Sequence, residues 1–176
     1  MRSDAIGRHR PPHPNTGAPY YGAFLGIDFP AFFPLVVAWA EAQAAEAAAK
    51  GSPLDEEGLA LARKVGVEHP ERIRVRILDE LPIPDHPLLV KINETLRLIS
   101  PQMGGLSLGH NVIIRNGCAS PFLMAHEFRH VHQYEEAGSI AAFLSTYLHQ
   151  ILTVGYRNAP YEMDANERAH HACHAR

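Results

Sequence analysis

The chain has 176 residues, 46% hydrophobic and 20% charged, with a formal charge of −3. That size and balance suit one globular core, and the interspersed acids and bases lack the basic stripe that a phosphate backbone requires, which excludes nucleic acid as a partner. No apolar run approaches the roughly 20 residues of a membrane span, and two cysteines, Cys118 and Cys173, are too few for a disulfide framework.

Residues 1–22 carry Pro11, Pro12, Pro14 and Pro19 among Arg, His and Gly, a composition that builds no packed face and reads as a flexible arm. Residues 23–176 are expected to form a single domain. The apolar stretch 29–40 and the alanines after it imitate a signal peptide. The roughly thirty residues ahead of it exceed a usual n-region, however, and Glu41 and Glu46 continue a helical pattern, so a cytoplasmic setting is expected. Phe33, Val36, Val37, Ala40, Ala44 and Ala47 recur at helical spacing across residues 30–50, with Gly51 as the stop. Ser52 and Pro53 read as the cap and first residue of a second helix ending near Gly66. From Arg72 to Leu78 apolar and basic residues alternate, predicting a strand with a solvated basic face. Pro82, Pro84 and Pro87 then lead into a helix at about 88–99. A strand is expected at about 106–115, and helices at about 121–136, 139–153 and 159–172.

Histidine is abundant, at 12 residues, and six of the twelve fall in two clusters at 126–132 and 170–174 that alone suggest metal chemistry. His126-Glu127-Phe128-Arg129-His130 is an HExxH motif. Ser120 is placed to cap its helix and Pro121 to open the first turn, so the motif lies well inside. Residues four apart share a helix face, which lets the two imidazoles converge on one ion. Glu127 points beside that ion, where its carboxylate can take a proton from a metal-bound water. Phe122, Leu123, Met124, Phe128 and Val131 bury the helix, an apolar setting in which unpartnered imidazoles are costly.

A third ligand must come from elsewhere. An extended HExxHxxGxxH pattern is excluded, because Gln133 and Glu136 stand where it needs a glycine and a histidine. Cys118, at the mouth of the same helix, invites comparison with deformylases, although their Gly-Cys element lies much further upstream. Glu162, Asp164 and Glu167 on the last helix are the other candidates.

An HExxH helix, an intervening helix and an acid on a later helix together resemble the gluzincin metallopeptidases, especially their small members, over about residues 107–170. The resemblance implies an α+β, zincin-like fold, mostly helical, with a small sheet beside the HExxH helix. It implies Zn2+ held by His126, His130 and Glu162, a peptide or protein substrate, and water activated by Glu127 for attack on the peptide carbonyl. Asp164 and Glu167 stay open as rival ligands. Asn166 departs from the family, which often places there an acid supporting the first histidine. The strand before the active helix, here 106–115, would lie along the cleft. Tyr156, Tyr161 and His149 are candidate donors to the oxyanion, with Tyr156 favoured on its Gly155-Tyr156-Arg157 connection. His132 falls on the far side of the helix from His130 and should not share the ion. The tail His170-His171-Ala172-Cys173-His174 reads as solvated, with a second metal as the alternative. The competing function is a metal-stabilised binding or effector domain with little or no hydrolysis, its site closed by a fourth ligand such as Cys118. The arm at 1–22 is long enough to reach a cleft and hold an enzyme latent.

Overall fold

A computed structural model describes residues 28–96, 98–100 and 103–174. The arm expected at 1–22 lies outside them. The fold is α+β and mostly helical. Helix α1 (Phe29–Lys50) is followed by β1 (Ser52–Pro53), α2 (Glu56–Lys64), β2 (Arg74–Leu78) and α3 (Pro87–Leu96). A hairpin of β3 (Gly105–Leu108) and β4 (Asn111–Arg115) leads into α4 (Pro121–Ala137), α5 (Ile140–Val154) and α6 (Pro160–His174). No described helix is long and apolar enough to cross a membrane.

The sheet order is β1-β2-β4-β3, with β2 parallel to β4 and the other pairings antiparallel, so β3 is an edge strand. Successive side chains of β4 face opposite layers, as strand geometry requires. Val112 and Ile114 pack with Ala125, Phe128 and Val131 of α4, whereas Ile113 packs with Ala40, Ala44 and Ala47 of α1. The alanine stripe thus lets α1 lie close on one face while α4 occupies the other. Ser107 of β3 faces α4, and its neighbours Leu106 and Leu108 join the α1 side.

Three sequence expectations change. The predicted strand 106–115 is two strands joined at Gly109-His110, where Gly109 takes φ 63°, a conformation that favours glycine. Ser52 caps nothing, because it pairs with Val75 in the sheet; Asp55 caps α2 instead, accepting a hydrogen bond from the Gly58 amide at 2.8 Å. Asp55→Ala should therefore lower stability by about 1 kcal/mol in urea unfolding and Ser52→Ala by far less. Equal losses would contradict this assignment. Thirdly, the basic face of β2 is not simply solvated. Arg76 is only 16% exposed and meets Glu46 at 3.1 Å, Arg74 donates to the backbone oxygens of Glu71 and Ile73, and Ile77 instead faces solvent.

Candidate metal centre

Local signals set the HExxH helix. Ser120 accepts from the Leu123 amide at 3.2 Å, Pro121 opens the helix, and Gly138 closes it at φ 79°. Ser139 caps α5 at once, accepting from the Ala142 amide at 3.1 Å, so the two helices form a tight hairpin. Gly155, at φ 78°, ends α5 and leads through a one-turn 3-10 helix (Tyr156–Asn158) into α6, which returns across α4. Phe143 fixes the hairpin by stacking on Tyr134 at 3.7 Å, Tyr147 at 5.4 Å and Tyr161 at 5.1 Å.

This path brings Glu162, in the first turn of α6, against the two histidines. His126, His130 and Glu162 are at most 9% exposed. The imidazole Nε2 atoms of His126 and His130 lie 3.1 Å apart, Glu162 Oε2 is 3.4 Å from His126 Nε2, and Glu162 Oε1 is 3.3 Å from His130 Nε2. Bonds of about 2.0–2.1 Å meeting at a tetrahedral angle set ligand atoms about 3.3 Å apart, so the two nitrogens and a carboxylate spanning them could hold one zinc-sized ion. These three residues are the only group of three or more metal-ligating side chains among the described residues.

The protons make the same point. Gln133, 2% exposed, donates its amide Nε2 to the Tyr161 carbonyl at 3.1 Å and to Asp164 Oδ2 at 2.9 Å. Its Oε1 is therefore the acceptor for His130 Nδ1 at 2.8 Å, which fixes the proton of a neutral His130 on Nδ1 and leaves Nε2 with a lone pair. Tyr147, half-buried on α5, donates its hydroxyl to Glu162 Oε1 at 2.7 Å. In neutral His130 the Nε2 lone pair faces the Glu162 carboxylate, a contact that either a proton on Nε2 or a metal ion between them relieves. Burial alone would raise the Glu162 carboxyl, but hydrogen bonds from His126 and His130 and the His130 charge hold it far below the usual range. Burial alone would lower His130, and its hydrogen bond to Glu162 and that carboxylate's charge override this and raise it.

Glu127 is 4% exposed and turns toward β3 rather than into the triad. Ser107 Oγ lies 2.7 Å from its Oε2 and 2.9 Å from its backbone oxygen. A Cβ on Gly105 would stand 2.6 Å from Glu127 Oε1, so the edge strand accommodates this carboxylate only because residue 105 is glycine. Tyr156, partly exposed, faces Glu162 and Glu127. Burial of its hydroxyl, followed by the Glu162 charge, keeps the phenol protonated well above its ordinary range.

Of the rival ligands, Asp164 is held by Arg129 at 2.6 and 3.2 Å, and Glu167 is exposed. Asn166 is exposed too, and it is Gln133 that supports one of the two histidines, His130. Tyr161 packs its ring on Phe143, and His149 lies on the exposed side of α5. Cys118 is a free thiol beside Gly104, outside the triad. His132 sits 3.5 Å from Glu136 and does not join the triad. In the tail, His170 and His174 stack at 4.3 Å. Sequence reading missed Gln133, Tyr147 and Ser107. Gln133 had a signal, since it follows His130 by three and shares its face. The other two are placed by tertiary packing.

Comparison of the chain with protein-family models, with curated proteins and with solved structures returns no match.

Proposed function

We propose that the protein is a zinc-dependent hydrolase of zincin-like architecture, a metallopeptidase akin to the gluzincins. The observation that carries this reading is the meeting of the two imidazole Nε2 atoms, 3.1 Å apart, with the Glu162 carboxylate, whose Oε2 and Oε1 lie 3.4 and 3.3 Å from them. When bound, the ion supplies Lewis acidity, polarising a carbonyl and acidifying water.

The chain's own groups do the rest. Glu127 takes a proton from the attacking water and returns it to the departing amine. Ser107 steadies Oε2 of that carboxylate. Tyr156, kept protonated, donates toward the oxygen on which negative charge develops. The edge strand β3 offers main-chain groups to an extended peptide beside Glu127. No fourth His, Cys, Asp or Glu joins the triad among the described residues, which favours an open catalytic site over a closed structural one.

Elemental analysis tests the metal first: the wild type is expected to carry about one zinc per chain and His126→Ala very little. Cleavage of a generic peptide should then disappear with a chelator and return with zinc. Zinc retained by His126→Ala would refute the ligand set, and a zinc-loaded protein that cleaves no peptide would favour the binding-domain reading.

A further inference from the structure

A cavity of about 100 Å³ lies against β3 between α1, α3 and α5, and its wall includes Glu127, His130 and Tyr147. Elsewhere it is lined by apolar groups, among them Trp39, Leu89, Ile92, Ile99 and Leu148. Asn93, the amide in this wall, spends both ends on the Ile99 backbone, donating to its oxygen at 3.0 Å and accepting from its nitrogen at 2.8 Å. Ser107 in turn is spent on Glu127. A buried water needs two to four polar partners, and away from the end formed by Glu127, His130, Tyr134 and Tyr147 the walls are of the apolar kind that stays dry and takes apolar guests. Cores close-pack to the density of organic crystals, so an apolar void of this size, touching the proton-transfer group and a metal ligand, is a site rather than a packing fault.

We propose that this cavity receives a large aliphatic or aromatic side chain of the substrate, of leucine to phenylalanine size, beside the bond to be hydrolysed. The proposal rests on the hydrolase reading and names its substrate class. Apolar walls select by size, since each buried methylene strengthens binding by roughly fourfold. Polar or charged side chains would lose their water against a wall that is apolar away from Glu127, His130, Tyr134 and Tyr147, and are disfavoured.

The test uses the zinc-loaded full chain and three hydroxamates, which chelate zinc through one head group: acetohydroxamate, 4-methylpentanohydroxamate and 3-phenylpropanohydroxamate. Affinity should rise by about 50-fold or more from the first to the other two, given roughly fourfold per buried carbon. Leu89→Phe narrows the cavity away from the triad. It should erase the gain while leaving acetohydroxamate binding and zinc content unchanged, and Val36→Leu should do so in part if Leu89→Phe does not fold. Equal affinities across the series in zinc-loaded wild type would overturn the proposal, as would a gain that survives both variants. A second arm needs no metal: toluene should raise the melting temperature of zinc-free wild type and not that of the narrowed variant. Failure of toluene to do so would overturn the cavity as an apolar site. Failure of the wild type to bind zinc at all would instead overturn the hydrolase reading, and with it this substrate.

Discussion

Glu127→Gln is expected to bind zinc like the wild type and to cleave peptide about 100- to 10,000-fold more slowly, the span over which general acid–base groups contribute. The substitution is nearly isosteric, and the side-chain oxygen that remains can still accept from Ser107, so packing against β3 should survive. What is lost is a base that takes up a proton and gives it back. Gly105→Ala should reach a similar defect by another route, because its Cβ would occupy space 2.6 Å from Glu127 Oε1 and push the carboxylate off its position without touching a ligand. Both variants are read by zinc content together with kcat. Turnover near the wild-type rate in Glu127→Gln would remove Glu127 from the mechanism. Loss of zinc in that variant would recast it as part of the metal's support.

The parts of this site readable from sequence are those fixed within one or two helical turns. Ser120, Pro121 and the spacing of His126 and His130 are local, and the helix forms where they place it. Glu162 was reachable only through resemblance to a family pattern, since its approach depends on how α5 and α6 return. The hairpin was missed because the apolar letters of β3 and β4 run together, and only Gly109 marks the reversal. Ser52 and Asp55 are both good caps three residues apart, and the choice falls to the pairing of Ser52 with Val75, which no local pattern encodes. The alternation over β2 identified a strand but not its environment. Glu46, across on α1, draws Arg76 inward, and Ile77 is left outside. Ser107 and Tyr147 reach their partners across 20 and 15 residues, distances at which residue type alone carries no direction.

Gln133→Leu should weaken zinc binding by about 10- to 100-fold, the usual effect of removing a group that orients a metal-binding histidine. Leucine fills much of the same space but cannot accept from His130 Nδ1, so the imidazole loses its fixed tautomer and part of its population carries the proton on Nε2, where the metal must bind. Asp164→Asn probes the same chain one step further out. An asparagine there can donate to Gln133, allowing the Gln133 amide to turn over and present its NH2 to His130, and Asp164 would also lose its charged pairing with Arg129. Zinc affinity should fall in this variant as well, by less than in Gln133→Leu. A role confined to stability would lower the melting temperature of both variants and leave affinity alone. Nitrogen NMR of the zinc-free protein, at a pH where His130 is neutral, separates the two. The wild type should show His130 protonated on Nδ1 and Gln133→Leu a mixture; an unchanged tautomer in Gln133→Leu would show that something other than this amide sets the proton.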